Sequence, residues 1–359
     1  MTLIETPEAL QRLMNRLAGR PWIAVDTEFV RERTYFAQLC LVQIGDAEEQ
    51  ACIDALAVEL SPLWDFLAQP DLTVVLHAAS QDLELFAQHA GDCPRPLWDT
   101  QVAAALLGIG DQIGYAGLVK ARLGLELDKS LSRTDWSKRP LTGPALTYAA
   151  DDVRHLATMY PSLEADLAAL GRTQWLEEDC QRLCDLDRYK PDPDSAWQRL
   201  RGLGRQSPPV QHRVAALARW REIEAVNRNR PRKWILPDDV LYAIAHANPG
   251  TREQLAGCGE IPPRLVERHG QALLDVLASI EADVEPLVLD DRPDAEHKAK
   301  VKALAERVRS EAEALNLPSS MLAPRAEIER LARDGDAAEA LALTGWRREV
   351  IGRKLLEML

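Results

Sequence analysis

The chain has 359 residues, with 43 Lys and Arg against 56 Asp and Glu and a formal net charge of −13. That length exceeds what one hydrophobic core supports, and an apolar fraction of 46% excludes wholesale disorder. The acidic total argues against nucleic-acid binding only until it is divided. Residues 1–180 carry 14 basic and 27 acidic side chains, whereas residues 181–359 carry 29 of each. No apolar run is long enough to cross a bilayer, and the first twenty residues lack the pattern of a secretory signal. The six cysteines form no CxxC pair, and Cys180 and Cys184, one helical turn apart, have no second ligand pair. The expectation is free thiols in a reducing cytoplasm, without structural zinc or a membrane partner.

In chain order, Glu5 to Leu17 reads as a helix with Thr6 as N-cap and Pro7 in the first turn. Short apolar runs at Trp22–Asp26, Gln38–Ile44, Gln50–Ile53 and Leu72–His77 read as strands, and Ser80 opens a helix through His89. Strands interleaved with helices predict an α/β layer with a mixed sheet. Beyond about residue 160 the strand signals fade. A Pro-, Asp- and Arg-rich connector covers 185–210, and the rest reads as helical. Within that half, residues 217–245 align without gaps to 304–332 at a shift of 87, with eight of 29 positions identical, including Pro231/Pro318 and Pro237/Pro324. The boundaries expected are an α/β domain over 1–185, a linker over 186–210, and helical domains over 211–285 and 286–359.

Three places carry acids that simple packing does not require. In VDTEF (25–29) Asp26 and Glu28 share one face if the strand continues, and adjacent carboxylates repel unless a cation lies between them. A solvated loop after the strand explains the same two residues. Asp82 lies in the first turn of a helix, where the helix dipole alone would favour it. Tyr148 and Asp152 are at i, i+4 and lie on one helix face, a pattern a half-buried Tyr and a solvated acid also satisfy. Together, four carboxylates from a strand and two helices suit a pair of hard divalent cations, which stabilise both attacking and leaving oxygens of a phosphoryl displacement. Tyr148 is placed to orient the attacking water.

DTE at 26–28, Asp82 after HAASQ and Tyr148-x-x-x-Asp152 resemble the three motifs of the DEDD superfamily of 3′-5′ exonucleases, in its tyrosine subclass. FVRERTYFAQLCLVQIG (29–45) and LDKSLSRTDWSKRPLT (127–142) resemble the ribonuclease D family within it, and PRKWILPDDVLYAIA resembles the HRDC helical module that this family carries. The resemblance implies a ribonuclease H-like α/β exonuclease domain followed by two all-α HRDC-like domains. It implies that Asp26, Glu28, Asp82 and Asp152 ligate two divalent ions, Mg²⁺ or Mn²⁺, with Tyr148 orienting the water. The implied reaction is hydrolysis of RNA from the 3′ end to nucleoside 5′-monophosphates, on structured RNA such as tRNA precursors. Asp151 is an alternative ligand by position, although the helix face and the family spacing favour Asp152. His77, Lys129 and Arg139 are candidate RNA contacts. No obligate protein partner is evident.

The segment 219–233 holds Arg219, Arg221, Arg228, Arg230, Arg232 and Lys233 against Glu222 and Glu224. Such a cluster supplies phosphate neutralisation, and Arg230 and Lys233 are the candidate contacts. Trp234, matched to Met321 in the repeat, is expected in the core. The second module replaces the later cations with Leu315, Leu317, Ser319 and Ser320 and is expected to pack against the nuclease domain. A DNA exonuclease of the same fold and a non-catalytic RNA-binding scaffold are the alternatives. The first remains because the carboxylates do not read the sugar. The intact carboxylate set argues against the second.

Overall fold

The computed structural model describes all residues except 1, 129–130, 132–133, 281–284 and 288–293. Two compact units result, one of residues 1–30, 39–189 and 293–359, the other of residues 31–38 and 190–292. In the first unit six strands form a mixed sheet: β1 (Thr2–Ile4), β2 (Trp22–Val30), β3 (Gln38–Gly45), β4 (Gln50–Asp54), β5 (Thr73–Leu76) and β6 (Leu97–Asp99), in the order β1-β4-β3-β2-β5-β6. β3 and β4 are antiparallel, whereas β1/β4, β2/β5 and β5/β6 are parallel. Because β2, β5 and β6 run the same way, their carboxyl ends gather at one edge, where open α/β sheets place their sites.

The strands form where apolar runs can be buried on both faces: Ile23, Ala24, Val25, Val74 and Val75 are wholly inaccessible. Helix α1 (Pro7–Leu17) starts at the expected cap, with Thr6 Oγ1 accepting the Ala9 amide at 3.3 Å. Its buried stripe is Leu10, Leu13, Met14 and Leu17. It is followed by α2 (Ser61–Leu67), α3 (Ser80–His89), α4 (Thr100–Leu106), α5 (Tyr115–Leu123), α6 (Gly143–Ala169) and α7 (Thr173–Leu183). The 27-residue α6 lies against β2 and β4, which brings its first turns to the sheet edge.

The second unit is helical: α8 (Pro208–Asn227), α9 (Arg232–Ile235), α10 (Asp238–Ala247), α11 (Arg252–Ala256) and α12 (Pro263–Ala278), around Val214, Leu217, Leu241, Ile244 and Leu273. Residues 196–203, expected within a linker, contribute Ala196, Leu200 and Leu203 to this core. Residues 31–38, from the end of β2 to the first residue of β3, also belong here. Tyr35 donates to Glu222 at 2.5 Å, and the Tyr35 and Phe36 amides both reach Asn229 Oδ1 at 3.0 Å.

The repeat is visible in the backbone. Helices α13 (Ala295–Ala314), α14 (Ser319–Leu322) and α15 (Arg325–Asp334) reproduce the bounds of α8, α9 and α10 at the shift of 87, and Asn229 and Asn316 share a left-handed φ of 46° and 52°. The second copy folds within the first unit. Arg347 forms a bidentate pair with Asp179 of α7 at 2.5 and 2.8 Å, and Trp346 stacks on Trp175 at 4.3 Å.

Candidate active site

Strand β2 runs through Val30, so the DTE segment is strand and not loop, and Asp26 and Glu28 project from one face. One carboxylate oxygen each from Asp26, Glu28 and Asp152 lie within 4.8 Å of one another. Asp152 comes from the third turn of α6, whereas Asp151 turns to Arg154 in an ion pair outside the cluster. Asp82 stands apart from the trio. Its Oδ1 accepts the hydroxyl of buried Thr27 at 2.5 Å, from the strand residue between Asp26 and Glu28.

Burial, together with the Asp152 charge, pushes the Asp26 carboxyl up to about 8. Burial and then the charges of Asp26, Asp152 and Asp82 push Glu28 up to about 9, and burial with Asp151 pushes Asp152 up to about 7. Asp82 is also raised, by burial and then by Asp26. Four acids that resist ionisation in each other's company are what a site for positive charge requires. Oxygen donors alone suit hard divalent cations. The Tyr148 phenol is raised to about 12, by burial and then by the charges of Asp152, Glu28 and Asp26, so it keeps its proton at neutral pH.

Sequence reasoning missed three supporting residues. Tyr115 donates its phenol to the backbone carbonyl of Asp152, fixing that turn of α6. Thr27 holds Asp82. Asp99, only 2% exposed, accepts the amides of Ala78 (3.1 Å), Ala79 (2.8 Å), Gln101 (2.7 Å) and Val102 (3.4 Å), joining the start of α3 to the start of α4. Only its role as N-cap of α4 had a local signal, an Asp directly before a helical run.

The expected RNA contacts fare differently. His77 lies in an internal network, with Nδ1 at 2.9 Å from Thr100 Oγ1 and its ring edge-on to Tyr115 at 5.4 Å. Burial lowers its pKa and keeps it neutral. Arg139 is committed within the protein. It forms a bidentate pair with Asp54 at 2.5 and 2.6 Å and donates to the carbonyls of Cys40, Trp136 and Lys138, leaving no donor for phosphate. Lys129 lies outside the described residues. In the second unit Arg219, Arg221, Arg228 and Arg232 pair with Asp194, Asp238, Glu224 and Glu222. Arg230 and Lys233 are exposed, Arg230 with only a 3.4 Å bond to the Arg33 carbonyl and Lys233 at 3.6 Å from Asp238. Trp234 is 60% exposed and not in the core.

A 3′-5′ exonuclease family model matches residues 1–168, and an HRDC domain model matches residues 211–277. Fold and acid cluster thus define a 3′-5′ exonuclease, a class whose chemistry depends on divalent metal, followed by HRDC-type helices. The ribonuclease D of Acidiphilium cryptum is 40% identical over 370 residues, covering 99% of this chain and 92% of that one. The ribonuclease D of Zymomonas mobilis is 38% identical over 371 residues, covering 99% and 93%. The crystal structure of Escherichia coli RNase D, an exoribonuclease involved in structured RNA processing, matches with a TM-score of 0.89 at 31% identity, covering 100% of this chain and 98% of that chain. The chain belongs to the ribonuclease D family. Among the described residues, no helix is long and apolar enough to cross a membrane.

Proposed function

We propose that this exoribonuclease removes 3′ extensions from structured RNA such as tRNA precursors in the cytoplasm, releasing nucleoside 5′-monophosphates with two Mg²⁺ or Mn²⁺ ions. The observation that carries the reading is the convergence of half-buried Asp26, Glu28 and Asp152 within 4.8 Å of one another. Bound divalent cations would offset the charge that develops on the attacking and leaving oxygens of an in-line displacement. Asp26, Glu28 and Asp152 supply oxygen ligands, with Asp82 as the fourth carboxylate of the site. The Tyr148 phenol, held protonated by burial and its acidic neighbours, orients the attacking water by hydrogen bonding and does not abstract its proton. Tyr115 and Asp99 hold the two helices that deliver Asp152 and Asp82, so the acids are placed before substrate arrives. Arg230 and Lys233 are exposed cations for the RNA backbone.

The test is mononucleotide release by the full chain from 3′-extended RNA and from matched single-stranded DNA, with Mg²⁺ or Mn²⁺. Release from RNA supports the reading. Preference for DNA overturns the substrate, and no release from either overturns the reaction.

A further inference from the structure

The short helix α9 solves a packing problem in a way that leaves its one aromatic residue outside. Four residues between Pro231 and Leu236 make a single turn, and successive side chains in a helix point about 100° apart. Ile235 and Leu236 take the inward directions at 6% and 0% exposure, and Arg232 turns to Glu222 and the Tyr35 ring. Trp234 and Lys233 are left facing solvent. A large exposed aromatic ring forgoes most of the burial free energy that a core position would give it, so its exposure needs a reason.

The surroundings of the ring supply one. Trp234 and Lys233 border a groove of about 680 Å³ whose opposite wall is α12, with Arg264 and Arg268 one turn apart on its exposed face. Neither arginine has a hydrogen-bond or ion-pair partner among the described residues. Among the described lining residues Glu267 is the one carboxylate, against Lys233, Arg264 and Arg268, and Asp238 beside the groove is 3.6 Å from Lys233. Pro237 and Pro262 wall the groove with rigid apolar surface. The second helical copy differs at the matching positions: Ser320 replaces Lys233, Met321 replaces Trp234, and the carbonyl of Met321 is taken by Arg347 of its own chain at 2.5 Å.

We infer that the Trp234 groove is a stacking site for an unpaired base of single-stranded RNA, with Lys233, Arg264 and Arg268 neutralising the flanking phosphates. An aromatic face accepts any base, and cations on both sides of it suit a polyanion threaded past the ring. Carboxylate side chains would match the charge but not the exposed indole, whereas a single-stranded nucleic acid offers a flat base beside every phosphate. The inference rests on the proposed action on RNA and deepens it, adding an aromatic ring and two arginines to the Lys233 contact on the first helical module.

The experiment uses the full chain and a single-stranded oligouridylate, with affinity read by fluorescence anisotropy over a range of salt. Trp234→Ala is expected to weaken binding roughly tenfold and Trp234→Phe to keep most of it. The Arg264→Ala/Arg268→Ala pair is expected to flatten the salt dependence. Both positions are exposed, and unchanged thermal midpoints verify that the variants fold. Ultraviolet crosslinking of 5-iodouridine-substituted RNA is expected to mark the peptide containing Trp234. Wild-type affinity in Trp234→Ala, in a protein whose wild type binds RNA and releases mononucleotides, would overturn the stacking site alone. Absence of RNA binding and hydrolysis in the wild type would instead overturn the proposed function.

Discussion

The Asp99 carboxylate accepts the backbone N–H of Ala79 at 2.8 Å, tying the end of β6 to the first turn of α3. The same group holds the amide of Ala78, whose φ of 54° is disfavoured for a residue with a Cβ, and caps α4 through Gln101 and Val102. Asp82 sits three residues beyond Ala79, so its place depends on this anchor. Asp99→Ala is expected to destabilise the fold by about 1–3 kcal/mol through unsatisfied amides. It is also expected to lower kcat on the order of a hundredfold by misplacing Asp82, with KM nearly unchanged. Denaturant unfolding and single-turnover kinetics on 3′-extended RNA measure the two effects. A variant with wild-type kcat would remove Asp99 from the positioning of α3.

The carboxylate cluster makes stability depend on pH and metal together. Asp26, Glu28 and Asp152 titrate at about 8, 9 and 7 in the folded chain and near 4 in the unfolded one. Between about pH 4 and 9 the folded chain therefore holds more protons than the unfolded chain, and stability falls as pH rises through that window. In chelator, Tm is expected to fall more steeply from pH 5 to 9 in the wild type than in Asp26→Asn, which has lost one of the opposed charges. Added Mg²⁺ or Mn²⁺ is expected to raise Tm most at the alkaline end, because bound cations favour the ionised forms. Equal slopes in wild type and variant would count against mutual repulsion at the cluster.

Asp26 and Tyr148 are expected to fail differently. Asp26→Asn removes a metal ligand, so mononucleotide release should drop by at least about a thousandfold while RNA affinity stays close to wild type. Tyr148→Phe keeps the ring beside Trp136, at 6.4 Å between centroids, and loses only the hydroxyl. A loss of about one hundredfold in kcat is expected, with metal affinity and KM largely retained. Calorimetric titration with Mn²⁺ separates the two cases. A Tyr148→Phe enzyme with wild-type kcat would leave no role for the phenol in placing water.

The strand positions and the Asp26/Glu28 face were legible because apolar runs and a period of two are local properties. So was the repeat, whose helix bounds recur at the shift seen in the sequence. Other features depended on partners distant in the chain. Arg139 reads as a loop cation until Asp54, 85 residues away, takes its guanidinium. Asp99 reads as an N-cap, and only the parallel pairing of β5 with β6, Leu76 against Asp99, brings it beside Ala78 and Ala79. The three-residue β1 is too short to show alternation and exists because β4 offers it a parallel edge. Trp234 misled for a different reason. Hydrophobicity predicts burial, but Ile235 and Leu236 had already filled the inward directions of that turn.

The second helical copy is joined to helix α7 of the exonuclease fold by the Asp179–Arg347 pair, whose side chains are only 10% and 5% exposed. Arg347 is further fixed by its Nε bond to the Met321 carbonyl, and its guanidinium lies 4.2 Å from the Trp346 ring that stacks on Trp175. Breaking such a pair from one side leaves an unmatched buried charge, whereas replacing both partners with apolar groups does not. Arg347→Met is therefore expected to cost about 3–5 kcal/mol, and the double variant Asp179→Leu/Arg347→Met to recover much of that loss. Denaturant unfolding of the full chain, followed through the Trp175–Trp346 stack by near-ultraviolet circular dichroism, measures both. If the double variant were as unstable as the single, the cost would lie in lost packing around Trp346 and not in the stranded carboxylate of Asp179.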